Sequence, residues 1–469
     1  MKRQTKYALV AATLLVTSAS SVYAADAATP VKAKKATHHA RAAKKAAAPV
    51  AVAPVATAAP VVAAPAVAPV AEAPVNTGFE ALYKDATIFG EARYRYEFVD
   101  QDGPAPVTND ANASTLRVNL GYKTGVYQGF QALIEGQVVQ HIGGRFFNDS
   151  INGKTTYPAV TDPDVTVLNE FWLSNNSLPE TVVKVGRQKI NIDNQRFIGT
   201  VDWRQNDQTF DAVNVVNTSI KGLELYYAYL WDVNRIQGPD FATGQLNSDS
   251  HIAHASYKVA DWLNITAYGY WMDFDNSTSL SNQTYGLRLA GTTPITEGWN
   301  FIYEAEGAKQ YDYASSTLNY DEDYFHIVPG IKGHGLTVKG GLEFLGGNGT
   351  TGFQTPLATL HKFNGWADKF LTTPANGLMD YYGVVSYQLS GLHAYVDGVE
   401  LTAAYHKYNG DKRGDFGSEA DFSIGKSFKL TGTQPIKSVD FLIKFATYDA
   451  HDAPYTDTQK AWAQVGFKF

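Results

Sequence analysis

The chain has 469 residues, no cysteine, an aromatic content of 13% and a formal net charge of −7. A chain this long without cysteine is not a disulfide scaffold, so its stability has to come from an extended sheet or core. No stretch approaches the roughly 18–20 consecutive apolar residues that a transmembrane helix needs.

Lys2, Arg3 and Lys6 precede an apolar run over residues 8–16, followed by Val22 and Ala24 at small-residue cleavage positions. This pattern predicts a secretory signal peptide over residues 1–24 and therefore an exported protein. Residues 25–75 are almost wholly Ala, Pro, Val and Lys. Their repeated proline forbids a continuous helix and favours extended, disordered chain in the periplasm. Lys32, Lys34, Lys35, Arg41, Lys44 and Lys45 make its first half basic. Two readings stand for it: a plain spacer, or a tether that touches anionic cell-wall polymers. The adjacent His38 and His39 have no further ligand types nearby, so no metal is expected there.

The first 75 residues hold nine Lys and Arg against two acidic residues, which leaves 30 against 44 in residues 76–469. That part is net −14, and nucleic acid is not an expected partner.

From residue 86 onward the hydrophobic period is two. Around residue 93, Ala92, Tyr94, Tyr96 and Phe98 share one face while Glu91, Arg93, Arg95 and Glu97 share the other. A helix would scatter those charges; a strand aligns them in one row. The scheme recurs with Leu116, Val118, Leu120 and Tyr122 against Arg117 and Asn119. It recurs again with Leu336, Val338, Leu342 and Phe344 against Lys339 and Glu343, and with Val439, Phe441, Ile443 and Phe445 against Asp440 and Lys444. About eighteen such segments are counted, joined by alternating long and short connections. Aromatic residues crowd the ends of the apolar faces, as interfacial girdles do. The fold class predicted is all-β: a transmembrane antiparallel β-barrel over residues 76–469 in the bacterial outer membrane, its apolar face in lipid.

The longest connection, 346–378, carries Phe363, Trp366 and Phe370, which a freely solvated loop would expose at a cost. It is expected to fold against the mouth or into the lumen. Asp100, Asp102, Asp110, Asp162 and Asp164 are expected in outer loops. The last strand ends with Val465, Phe467 and Phe469 on one face, the terminal aromatic that the barrel-assembly machinery reads in outer-membrane proteins.

Residues 186–213 enter and leave as strands around a connection dense in Arg, Asn, Gln and Asp. Here the chain resembles the alginate-export family of outer-membrane porins, through Gly186, Arg187, Gln188, Arg196, Phe197, Gly199, Trp203, Arg204, Gln205, Asn206, Phe210, Asp211 and Ala212. A second match lies at 359–371. The resemblance covers roughly residues 86–469. It implies a monomeric eighteen-stranded channel for anionic sugars or an alginate-like uronate polysaccharide, with Arg187, Arg196 and Arg204 at the constriction and Asp193 and Asp211 as neutralising partners. Trp203 and Gln205 belong to the same motif. Strand parity alone puts Arg93, Arg95, Arg117, Arg288, Lys339 and Lys444 on the lumen face. The motif residues have a second reading, in which they knit the loop to the wall.

A general or small-solute porin without a polysaccharide role is the alternative function; an outer-membrane hydrolase is a third. The third finds little support. His251 and His254 are three apart and face opposite sides of a strand, His451 and Asp452 read as a turn, and Glu304 with Glu306 suits ion selectivity. No catalytic residue, metal or cofactor is expected.

Overall fold

The computed structural model describes residues 78–430 and 435–469, so the expected signal peptide and Ala/Pro segment lie outside the described residues. A one-turn helix α1 (Ala81–Lys84) precedes the first strand. The strands follow as β1 (Thr87–Gln101), β2 (Ala111–Lys123), β3 (Phe130–His141), β4 (Val165–Asn175), β5 (Thr181–Gln188) and β6 (Thr209–Asn217). Next come β7 (Leu223–Asn234), β8 (Gln245–Ala260), β9 (Leu263–Met272), β10 (Asn282–Thr296), β11 (Trp299–Asp312) and β12 (Asp321–Gly333). The last are β13 (Leu336–Leu345), β14 (Leu378–Gln388), β15 (Glu400–Asn409), β16 (Asp415–Lys429), β17 (Ser438–Asp449) and β18 (Thr458–Lys468).

Every strand pairs antiparallel with its neighbours in sequence, and β18 returns to β1, from Glu91↔Lys468 to Gln101↔Thr458. The 18-stranded sheet is closed and presents no unpaired edge. The period-two reading holds face by face. Tyr94, Val118, Leu120, Ile134, Phe171 and Leu173 are exposed on the outside, whereas Arg93, Arg95, Glu97, Arg117 and Glu135 are buried inside. An apolar outside and a polar inside is what a barrel in lipid requires.

Connections at one end are mostly tight turns, such as 261–262, 297–298 and 334–335, and those at the other end are mostly long. The division is not strict: 389–399 is a long connection at the turn end, and 410–414 is a short one at the loop end.

A barrel of this strand number has a bore that wall side chains alone do not fill. The buried apolar cluster accordingly sits within the bore. Phe197 and Ile198 from the third loop (189–208) and Phe353, Leu357 and Phe370 from the seventh loop (346–377) pack against wall aromatics Tyr268, Tyr324 and Tyr408.

The closing seam has its own device. Gly90 exchanges both backbone hydrogen bonds with Phe469, at 3.0 and 3.1 Å. A Cβ at Gly90 would meet the Phe469 ring at 2.3 Å, so the terminal aromatic covers a glycine that no larger residue can replace without moving it. Gly90→Val and Phe469→Ala are therefore expected to lower the temperature at which the folded, fast-migrating form on unboiled gels converts to the unfolded one. An unchanged conversion temperature in both would contradict this role for the seam.

Candidate constriction inside the barrel

The third loop leaves β5 and re-enters β6, yet its contacts lie on both sides of the bore. Toward β1 and β2, Arg204 donates from Nη2 to Glu97 Oε2 at 2.7 Å and lies 3.7 Å from Asp162. Arg93 donates to Gln205 Oε1 at 3.0 Å and to the Asp202 carbonyl at 2.9 Å, and Gln205 Nε2 donates to Thr115 Oγ1 at 2.9 Å. Arg117 bridges Asp207 at 2.9 Å and Glu91 at 2.6 Å. Toward the facing wall, Asn194 donates to Glu304 at 2.8 Å, Asp193 meets His254 at 2.9 Å, and Arg196 Nε donates to Glu343 Oε1 at 2.7 Å. In an eighteen-strand ring β2 and β11 are nine strands apart, so the loop crosses the bore.

Left-handed residues fold it back on itself: Asp193 has φ 48°, Gln195 68° and Val201 50°. For a β-branched valine that conformation is strained and persists only where the surroundings fix it. Thr359 Oγ1 does so by accepting the Val201 N–H at 3.1 Å.

The seventh loop meets it in mid-bore. Ile198 and Leu357 form a parallel bridge, the Gly199 N–H donates to the Leu357 carbonyl at 2.9 Å, and Thr359 N–H donates to Gln195 at 3.1 Å. Gly199 is required here, since a Cβ would lie 2.2 Å from Thr359 Oγ1. The same loop is tied to the wall through Asn364 to Glu343 at 2.7 Å, the Ala367 N–H to Glu419 at 2.6 Å, and Lys460 to Asp368 at 2.8 Å. Its aromatic residues account for its inward course. The Trp203 ring stacks on His361 at 4.2 Å, Arg95 lies 3.9 Å from the same ring, and the Lys444 ammonium sits 3.7 Å from Trp366 and 4.1 Å from Trp203. Cations desolvated against indole faces are held electrostatically by the ring quadrupole.

The loop ionisations agree with this geometry. Burial pushes the His361 imidazole well below its ordinary value; Asp368 opposes the shift, and Lys444 and Arg204 add to it. The ring is thus neutral: Nδ1–H donates to Asp368 at 2.7 Å and Nε2 accepts from Lys444 at 2.8 Å. Burial works against the charge of Asp368, but His361 and Lys460 outweigh it and hold the carboxyl below its usual range. Burial likewise opposes the Arg204 charge, and Asp162 and Glu97 more than restore it.

These positions sort the residues singled out from the sequence. Arg196 and Arg204 are buried, each neutralised by a wall carboxylate; Trp203 and Gln205 fasten the same loop. Arg187 lies elsewhere. It registers with Phe171 and Asp211 on the outward face, in line with Val185 and Leu173, and is bonded to Asp211 at 2.7 and 2.8 Å. The strand runs on through Gln188, so Arg187 obeys strand parity and not loop geometry. Asp193 partners His254 and Arg288. Arg93, Arg95, Arg117, Arg288, Lys339 and Lys444 do face inward, but Arg93, Arg95, Arg117 and Lys444 are buried beneath the loops and Arg288 is bound to Glu304 at 2.6 Å. Asp162 belongs to the long connection 142–164, yet turns inward and accepts the Gln205 N–H at 2.8 Å. His251 and His254 face opposite sides, with His251 bonded to Tyr227 outside.

Lys339 is different: among the described residues no carboxylate lies within 4.0 Å of its ammonium, and the same is true of Lys332 on β12 and Lys362 in the seventh loop. Neither Lys332 nor Lys362 was singled out from the sequence, although Lys362 falls within the second motif, at 359–371. Nor were the anchoring carboxylates picked out as site residues, Glu97, Glu343 and Glu419 on the wall and Asp207 in the third loop, because their partners are remote in sequence.

Comparison with known proteins agrees with this architecture. Residues 85–317 match the family described as alginate export. No curated protein matches the chain. Among solved structures, Pseudomonas aeruginosa OpdQ superposes with a TM-score of 0.61 at 16% identity, over 82% of this chain and 99% of that one. Acinetobacter baumannii OccAB2 gives 0.66 at 15% identity, over 83% and 99%. Pseudomonas aeruginosa OccK2 (OpdF), solved in complex with glucuronate, gives 0.63 at 14% identity, over 83% and 99%.

Arg196→Met leaves Glu343 buried without its cation, a change that costs about 3–5 kcal/mol in buried pairs. The expected outcome is lower heat resistance and new protease cleavage within 346–377, with partial recovery when Glu343→Leu is added. Equal protease resistance in the single variant would show that the pair does not hold the loops.

Proposed function

Because the chain belongs to the alginate-export family of outer-membrane porins, we propose that this channel passes small anionic sugars of the uronate class beside the paired loops. The single observation that carries the reading is the group of unpartnered lysines. Lys332 on β12 and Lys339 on β13 share the inner face; Gly330 is the register partner of Lys339, so the two lysines are two positions apart, roughly 7 Å along a strand. Glu304, Lys362 from the seventh loop and Lys332 all lie within electrostatic range of Lys339, the carboxylate beyond ion-pair distance. Along the constriction Arg117, Arg196, Arg204 and Arg288 are matched by carboxylates, and Arg93, Arg95 and Lys444 are buried against loop backbone, amide or indole groups. These three lysines have neither cover.

An acidic barrel with an anion path is not a contradiction. Its carboxylates at Glu97, Asp207, Glu343, Asp368 and Glu419 are spent on holding the loops, and each is buried or nearly so. A charge opposite a carboxylate at 4 Å gains about 1 kcal/mol in bulk water and about 4 kcal/mol at a protein surface. Three such lysines in succession would attract a uronate without trapping it. The complex of OccK2 with glucuronate supports a solute of this size and charge. A polysaccharide would need the third and seventh loops to part, against the buried ion pairs that join them to the wall, so the monosaccharide reading is favoured over the polymer.

Replacing both Lys339 and Lys362 by Gln should shift the reversal potential in a salt gradient toward cations, more at low salt, where screening is weakest. Block by glucuronate should weaken severalfold. Arg196→Gln with Arg204→Gln should instead reduce heat resistance. Unchanged selectivity in the lysine pair would overturn the proposal.

A further inference from the structure

Three side chains on the lumen wall converge beside the lysine path. Glu306 on β11 is the direct register partner of His326 on β12, and Glu304 follows two residues along on the same face. A donor atom from each of the three lies within 4.8 Å of the others. The His326 Nδ1 to Glu304 Oε1 distance is 3.6 Å. A tetrahedral ion with bonds of about 2.0–2.1 Å separates its ligands by roughly 3.3 Å, so small side-chain shifts suffice.

Two of the donors are buried and unsatisfied. Glu306 is 5% exposed and His326 6%, yet Glu306 Oε2 and His326 Nδ1 have no hydrogen-bond partner. Such atoms are costly to bury and call for an explanation. Their other ends are fixed: the Tyr268 hydroxyl donates to Glu306 Oε1 at 2.7 Å, and His326 Nε2 is bonded to the Tyr382 hydroxyl at 2.8 Å. Nδ1 is the ring atom that faces the two carboxylates, and in the tautomer whose Nε2–H donates to the Tyr382 oxygen its lone pair is available to a metal. Metal-ligating histidines and carboxylates are oriented in this way by partners on their far atoms.

Charge points in the same direction. Arg288 contacts Asp193 at 3.6 Å, Glu304 at 2.6 Å and Glu306 at 4.0 Å. Three carboxylates, those of Asp193, Glu304 and Glu306, share one guanidinium. Lys339 and Lys362 stay beyond 4.0 Å of these groups. Arg288 lies close to the carboxylates, but it need not leave: Asp193 offers it a carboxylate when Glu304 turns to an ion.

We propose that Glu304, Glu306 and His326 form a binding site for a divalent transition metal of the zinc class, at the point where the third loop grips the wall. One imidazole and two carboxylates suit zinc, whereas calcium and magnesium favour oxygen-only sets. Three protein ligands leave a fourth position for water or a passing anion. The ion adds two positive charges to the lumen wall, and it competes with Asn194 and Arg288 for Glu304.

The test uses the detergent-folded full barrel and zinc chloride alone, and binding is read without reference to conductance, so it stands or falls apart from the channel proposal. The expected result is one zinc per chain, with calcium and magnesium failing to compete. Glu306→Gln and His326→Gln should each weaken binding at least tenfold, while His451→Gln, at an exposed His–Asp group in an outer loop, should not. X-ray absorption on the wild-type zinc complex needs no variant and should report a single imidazole per metal. Absence of stoichiometric zinc, more than one imidazole, or loss of binding only in His451→Gln would overturn the site.

Discussion

The bridge between Ile198 and Leu357 joins two loops in the middle of the bore, and the rest of the interior is arranged around it. A wide barrel can carry loops inside it only if their backbone polar groups find partners and their apolar residues find cover. Pairing the third loop with the seventh meets both conditions at once. Gly199 and Thr359 exchange hydrogen bonds with the opposite loop or its neighbours, while Phe197, Phe353 and Leu357 pack on Tyr268 and Tyr324. Neither loop alone offers the other's backbone edge.

The charges of the chain follow from that arrangement. Loops held across a bore must be fixed to both walls, and here the fixings are buried ion pairs: Arg204 with Glu97, Arg117 with Asp207, Arg196 with Glu343, Lys460 with Asp368. Burying such pairs brings little net stability over apolar packing, but each specifies one position for the loop. Hence an acidic barrel still leaves lysines free along one wall, and Arg196 and Arg204 work as braces. In the proposed function, the path for a solute is what the braces leave unpaired.

The fold was largely legible in the sequence because a strand's period of two is a local signal. Arg93 and Arg95 could be assigned to the inside from their immediate neighbours, and Phe363, Trp366 and Phe370 betrayed a loop that is not free in solvent. The site was less legible because its contacts are remote. Arg204 finds Glu97 from 107 residues away and Arg196 finds Glu343 from 147, and no spacing rule connects them. Arg187 shows the complementary difficulty. The motif drew it toward the loop, whereas the strand register carried it to the outer face beside Phe171. Glu304 and Glu306 could be assigned to one face, but His326 joins them only through the β11–β12 register.

The central claim is that the two loops are paired inside the closed barrel, and the chain's lack of cysteine allows a test without background. Ile198→Cys with Leu357→Cys puts one thiol on each side of the bridge. In the folded, unboiled protein a mild oxidant should form the disulfide rapidly and almost completely, leaving conductance close to that of the reduced form. Failure to cross-link in protein that retains the folded gel mobility, or a large change in conductance once the bond forms, would contradict the account.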